Sequence, residues 1–250
     1  MLDTIKTYTF FKEKNIVDFR LLANQGMYNA TYLLKTGDNS FIIKKFYKPL
    51  HVDKNLEHKI KQIAYKRGIC PESIMLDTKN QIEINRYFEG CHKKFLNRSD
   101  LKRVAKTLSA LHKIRLQGKA FNINRFFTKN SKKIDSKLKI ALYELKKFKK
   151  ELVLCHNDLN PKNILFSNTA KFIDWEFATT NDRYFDLACI SVEFNLDKRD
   201  ESYFVHSYFK NKNYNIRKLK TYKIIYKHIC KIWFDIISKR EGFKRCQEQF

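Results

Sequence analysis

The stretch from Cys155 to Phe166, CHNDLNPKNILF, followed closely by Phe172 to Phe177, FIDWEF, decides how this chain is read. Leu152 to Cys155, Ile164 to Phe166 and Lys171 to Ile173 are short apolar runs that predict strands, so the polar residues between them fall in loops on a rigid scaffold. Phosphoryl transfer to a hydroxyl asks a protein for a carboxylate beside the attacking O–H, oxygen ligands for magnesium, and a cation on the phosphates. Asp158 suits the first requirement, as the base. Asn163, at the far end of the same loop, and Asp174, at the end of the next strand, are the candidate metal ligands. His156 and Asn157 are read as residues that shape and pack the loop.

The composition bounds this reading. The chain has 250 residues, 43% of them hydrophobic, enough for one large domain or two lobes. A net charge of +25 alone would suit nucleic acid or an anionic membrane surface. Yet lysines outnumber arginines 39 to 12 and spread along most of the expected helices, and no RNP, zinc-finger or basic-zipper pattern accompanies them. A solvated basic surface is expected, with no specific nucleic-acid partner; a non-enzymatic protein binding nucleic acid or membrane is the rival of a different class. The six cysteines form no C-x-x-C pair and are expected as reduced thiols of a cytoplasmic protein. No apolar run approaches the ~18 residues a spanning helix needs, and the first residues show no signal-peptide pattern.

Along the chain the hydrophobic period changes once. Phe19 to Ala23, Tyr28 to Lys35 and Ser40 to Phe46 predict strands punctuated by Gly26 and by Gly37, Asp38 and Asn39. A helix with Leu56, Ile60, Ile63 and Ala64 on one face follows, stopped by Gly68 and Pro71. Strands near Ile74 and over Ile82 to Phe88 complete a lobe spanning residues 1–90. From 91 to 250 the period is mainly helical. Ser99 is expected to cap a helix carrying Leu101, Val104, Ala105, Leu108 and Leu111; a second carries Ile134 to Phe148, and a long tail helix carries Leu219, Tyr222, Ile225, Tyr226, Ile229, Trp233 and Ile236.

The H-x-D-x-x-x-x-N spacing of His156, Asp158 and Asn163, with Asp174 after it, is similar to the catalytic loop and metal-binding aspartate of the protein-kinase-like fold. That resemblance implies an α+β, two-lobed architecture: a small antiparallel β-sheet N-lobe for the nucleotide and a larger, mainly helical C-lobe for catalysis and the acceptor. In Phe41 to Phe46, FIIKKF, Lys44 and Lys45 point to opposite faces. Lys44 shares a face with Ile42, as the phosphate-binding lysine of kinase-like folds does with an adenine contact; Lys45 is the alternative. Glu57, on the next helix, is placed to pair with that lysine. Gln25, Gly26 and Asn29 occupy the turn that would cover the phosphates, and Arg86 to Gly90 resembles the hinge that receives adenine.

A narrower resemblance rests on His156 to Leu165, Ile173 to Ala178 and Asn181 to Ala188, with Gly26 to Asn29, Glu57 to Pro71 and Leu111-His112 in support. Together these look like the choline and ethanolamine kinase family, particularly its bacterial choline kinases, from about residue 20 to residue 190. The resemblance implies ATP, Mg2+ and a small amino-alcohol acceptor, and it implies that Asp186 braces the catalytic loop. Aminoglycoside or thiamine kinases on the same fold are the nearest alternatives. A small acceptor also suits the twelve positions between Asp174 and Asp186, too few for a peptide-holding segment. Between His156 and Asp186 five acids face three bases, and Glu176 is free to attract a cation. Tyr226 and Trp233 on the tail helix are candidate acceptor contacts through cation–π attraction. The family's W-x-x-W pair becomes Cys230 and Trp233 here, which leaves choline, ethanolamine, thiamine and other amino alcohols open.

Overall fold

The computed structural model describes residues 1–23, 29–47, 53–116, 118, 120–131 and 134–238. In chain order it opens with α1 (Leu2–Thr7), β1 (Ile16–Leu21), β2 (Asn29–Thr36), β3 (Ser40–Phe46), α2 (Lys54–Lys66), β4 (Ser73–Asp77) and β5 (Ile82–Arg86). Then come α3 (Arg98–Leu111), α4 (Ile123–Asn130), α5 (Ser136–Leu145) and β6 (Leu152–Cys155). A 3-10 turn, Pro161–Asn163, precedes β7 (Ile164–Phe166), β8 (Ala170–Phe172) and β9 (Thr179–Asp182), and α6 (Arg183–Glu193), α7 (Lys198–Phe209) and α8 (Ile216–Ser238) close the described chain. It divides into two compact units: Met1–His92 with Ile164–Phe177, and Lys93–Asn163 with Ala178–Phe250. A single cut at residue 90 therefore describes it incompletely, because residues 164–177 cluster with the first 92.

The first unit is built on a five-stranded sheet ordered β1-β2-β3-β5-β4, antiparallel at every pairing. Its alternating strands turn Leu34, Phe41, Ile43, Ile82 and Ile84 to one core, which Ile5 of α1 and Phe11 complete. Phe10, Phe11 and Phe41 meet edge to face, with centroids 5.0 to 5.5 Å apart. α2 starts where the Asp53 side chain accepts the N–H groups of Asn55 and Leu56. It ends in a Schellman turn: Gly68, at φ +71°, donates to Tyr65, and Ile69 to Ala64. The inward face of α2 keeps Ile60 and Ala64 of the stripe expected from the sequence but not Leu56. Glu57, Ile60, Lys61 and Ala64 are buried, whereas Leu56 is 39% exposed. The stripe rotates because Lys61 reaches into the sheet to bond Glu83 of β5, so a charged pair takes a core position.

The second unit packs α3 on α7, and α5 and α6 on α8. α3 buries Leu101, Val104, Ala105, Leu108 and Leu111 as its period requires. Its cap is Asn97, not Ser99: Asn97 accepts from Asp100 N while Asp100 accepts from Asn97 N, a reciprocal capping box. α6 is buried from Tyr184 through Ser191, the deepest helix of the unit. β6 and β9 form a two-stranded antiparallel ladder. Among the described residues no helix is long and apolar enough to cross a membrane.

Burial alone would raise the Glu83 carboxyl, but Lys61 and then Lys44 outweigh it and hold the group below its usual range. A carboxylate depressed in the folded state contributes stability above its unfolded value, and that contribution fades as pH falls through the folded one. Lys61→Met should therefore lower unfolding free energy by about 3–5 kcal/mol, since it strands a buried charge. Lys61→Met combined with Glu83→Leu should recover most of that loss, as read from urea midpoints.

Candidate active site

In the second unit β6 delivers the chain into the loop 156–163. His156 is fully buried, so it packs the loop; its N–H donates to Asp186 Oδ2 at 2.9 Å. Asn157 N donates to Asp186 Oδ1 at 2.8 Å, and Asn157 takes a left-handed φ of +67°, a conformation asparagine tolerates better than most residues. Its side-chain oxygen accepts from Asn181 at 2.8 Å. Asp158 follows, half-buried. Asn160 Nδ2 donates to its Oδ1 at 3.0 Å, and Asn163 Nδ2 donates to its Oδ2 at 2.7 Å and to its backbone carbonyl at 2.8 Å. Asn163 thus spends its amide nitrogen on orienting Asp158, and its Oδ1 lies outside that pair.

The first unit carries Lys44, Glu57, Asp174 and Glu176. Lys44 on β3 sits opposite Glu83 in the register and bonds Asp174 Oδ1 at 3.1 Å. Burial would lower this ammonium, but Asp174, Glu83 and Glu57 together push it well above its ordinary value. Lys45 points the other way and donates to the Asn80 carbonyl at 2.6 Å. Of the two lysines left open by the sequence, Lys44 is therefore the one beside Asp174. The expected pair of Lys44 with Glu57 is not made directly. Glu57 bonds Lys54, one turn back on its own helix, at 2.7 Å, and acts on Lys44 only through its field.

Asp174 leaves β8 at φ +64°. The turn is fixed on both sides, by Phe172 N on the Ile69 carbonyl at 2.9 Å and by Trp175, 1% exposed, whose Nε1 donates to the Phe172 carbonyl at 3.1 Å. Glu176 is half-buried, and burial followed by the neighbouring Asp174 charge pushes its carboxyl up to about 7. Asp174 and Glu176, two carboxyls crowded in this way within the first unit, offer the kind of oxygen donors that a hard dication takes. Asn29 lies at the start of β2; Gln25 and Gly26 lie outside the described residues.

On α8, Tyr226 is 4% exposed and donates to Glu193 Oε1 at 2.9 Å, with its ring edge-on to Phe185 at 5.6 Å. Cys230 Sγ is 4.0 Å from the same oxygen, and Trp233 is half-buried further along the helix. Glu193 is raised by burial and by the Asp158 charge, against the lowering effect of the Tyr226 hydroxyl. Burial pushes the Cys230 thiol up to about 11, with further help from Glu193 and Asp158. Glu193 is thus a carboxylate in the field of Asp158 that sequence reasoning missed. Its spacing was the available signal: seven positions after Asp186 is two helical turns, the same face of α6.

Known proteins bear on this arrangement at two levels. The protein LicA of Haemophilus influenzae is 29% identical over 172 residues, 60% of this chain and 64% of that protein, so the match spans less than two thirds of that relative. A LicA homolog of Metamycoplasma hominis is 28% identical over 229 residues, 86% of this chain and 87% of its own. The crystal structure of choline kinase LicA from Streptococcus pneumoniae superposes with a TM-score of 0.75 at 21% identity, covering 99% of this chain and 97% of that one, which shows the shared protein-kinase-like fold. The sequence profile of the phosphotransferase enzyme family matches residues 20–219, most of the length described above, and the chain belongs to that family.

Proposed function

We propose that the chain is an ATP- and Mg2+-dependent kinase of the cytoplasm that phosphorylates the hydroxyl of a small amino alcohol, choline or ethanolamine. The observation that carries this reading is the Asp158–Asn163 pair: one side-chain amide holds the carboxylate through its nitrogen, and its oxygen is the proposed metal ligand. The match to the phosphotransferase enzyme family supports this reading, and the relatives include a choline kinase.

In this reaction Asp158 accepts the proton of the acceptor hydroxyl as that oxygen attacks the terminal phosphorus, and the bond from phosphorus to the leaving ADP oxygen breaks. Asn160 and Asn163 keep both carboxylate oxygens aimed. Asn163 and Asp174 would hold Mg2+, which supplies positive charge to the phosphate oxygens. Lys44, which pairs with Asp174 at 3.1 Å, contributes its own charge to the phosphates. Asn29, with Gln25 and Gly26, is proposed to cover the phosphates, and Glu57 to support Lys44 through its field. Glu176 and Glu193 attract the cationic head of the acceptor, with Tyr226 and Trp233 as its aromatic neighbours. Trp233 keeps one ring of the family's pair, while Cys230 stands for the other beside the Glu193 carboxylate and the Tyr226 hydroxyl, which suits an ammonium that hydrogen-bonds as well as one that does not.

Asp158→Asn should lower kcat by about 10²–10⁴-fold with ATP binding retained, since it removes the base and keeps the shape. ADP release measured with choline, ethanolamine and thiamine tests both points; turnover no greater than ATP hydrolysis alone with every acceptor would sink the reading. Mixed DNA and anionic vesicles bound in a salt-sensitive way, without ATP binding, would favour the non-enzymatic rival.

Glu193 gives a pH prediction with a definite sign. Its carboxyl is raised, so the negative charge that attracts the acceptor appears only as pH climbs above the ordinary glutamate range. The acceptor KM should fall as pH rises through that value, and Glu193→Gln should raise the acceptor KM and flatten this dependence while leaving the KM for ATP unchanged. An unaltered pH profile in the variant would remove Glu193 from acceptor binding.

A further inference from the structure

The net charge of +25 has no part in the proposed chemistry, and in the second unit much of it gathers on one face. α5 and α8 lie side by side in opposite directions. His228 reaches Asp135, the cap of α5, at 2.9 Å, and Arg217 reaches Glu144, near its far end, at 3.3 Å. Leu138 and Ala141 of α5 are buried, as are Leu219, Tyr222, Ile225 and Tyr226 of α8. On the outward side of α8, Arg217, Lys220, Ile224, Lys227, Lys231 and Phe234 recur at alternating intervals of three and four, one stripe of a helix. Lys137 of α5 joins Lys220, Lys223, Ile224, Lys227 and His228 in lining an open recess of ≈ 280 Å³ between the two helices.

This recess holds more cations than nearby acids neutralise. Glu201 takes Lys223 and Asp135 takes His228, whereas Lys137, Lys220 and Lys227 bond no carboxylate among the described residues. Three like charges around one recess favour an anion among them. The walls below the ammonium groups are hydrocarbon, supplied by Ile224 and by the lysine stems. Large apolar side chains stand beside them. Ile140, one turn after Lys137, is 64% exposed; Tyr143, a turn further, is 61% exposed, with the Lys147 ammonium 4.5 Å above its ring. Phe234, two turns beyond Lys227, is equally exposed.

The neighbours of the lysines decide which anion fits. A nucleic-acid duplex offers phosphates but nothing apolar for Ile140, Tyr143 and Phe234 to bury against. A second copy would set lysine against lysine across a two-fold axis. Anionic lipid headgroups satisfy the lysines, and the interfacial layer beneath them receives the rings and the isoleucine.

We propose that the α5–α8 face docks on an anionic phospholipid bilayer, with Lys137, Lys220 and Lys227 at the headgroup phosphates and Ile140, Tyr143 and Phe234 entering the interface. This goes beyond the kinase reading and does not rest on it, because none of these six side chains belongs to the proposed site. Attachment of this kind is peripheral and reversible, and it orients the second unit with α5 and α8 toward the lipid.

The test is flotation of the full chain with two kinds of vesicle, phosphatidylcholine alone and phosphatidylcholine mixed with phosphatidylglycerol. Binding is expected to the mixed vesicles only, and it should weaken as salt is raised. Each lysine near an anionic surface contributes roughly 5-fold to partitioning, so Lys137→Gln, Lys220→Gln and Lys227→Gln together should cost about 100-fold. The same charge removed from α3 and its end, by Lys102→Gln, Lys106→Gln and Lys113→Gln, should cost far less. All six lysines are exposed, so both variants should keep the wild-type thermal midpoint. Ile140→Gln with Tyr143→Gln should weaken binding at every salt concentration, since apolar burial is not screened. Equal binding to both kinds of vesicle, or equal losses in the two lysine variants, would overturn the proposal. So would a chain that ignores vesicles and binds duplex DNA or inorganic polyphosphate through the same three lysines.

Discussion

A carboxylate with no exposure to water cannot remain charged in a core unless donors surround it, and Asp186 has three: two backbone amides and one imidazole. The second unit is arranged around that requirement. α6 must run deep enough to bring Asp186 under the loop, and β6 must end where its next two amides can turn inward. Asn157 adopts a left-handed backbone to make that turn, with Asn181 of β9 holding its side chain. The geometry of Asp158 follows from what lies beneath it.

The first unit obeys a comparable rule with charges in place of amides. Lys61, Glu83, Lys44 and Asp174 alternate in sign, and Glu83 lies opposite Lys44 across two neighbouring strands. Each group is tolerated in a low-dielectric setting because its neighbour carries the opposite charge. Glu57 is taken up by Lys54 and leaves the direct partnership of Lys44 to Asp174, so the pairing familiar from kinase-like folds is here a field effect.

How much of this was legible in the sequence depended on whether local period and tertiary demand agreed. β6 and β7 fall on the residues read as strands around the catalytic loop, and the α3 stripe is buried as spaced. α2 was placed correctly and buries Ile60 and Ala64 as spaced, but Lys61 takes a core position that hydrophobic periodicity assigns to an apolar residue, and Leu56 turns outward. β9, a Thr-Thr-Asn-Asp strand, carries no apolar alternation and exists through its ladder with β6. α1, six residues without a side-chain cap, is held by the burial of Ile5. That Asp158 and Asn163 fall in the loop between β6 and β7, and Asp174 just after β8, was readable from spacing. The orientation of Glu193 toward Tyr226 was not, since it depends on how α6 packs on α8.

Residues 164–177 bear on modularity. Asp174 and its turn belong to the first unit, yet their codons lie inside the stretch that encodes the second. Neither unit corresponds to a continuous segment of gene, so no single crossover can exchange one for that of a relative. A fragment ending at residue 92 would lack β7, β8 and the partner of Lys44. A crossover falling between residues 92 and 164 would therefore pair the lysine of one parent with the aspartate of the other.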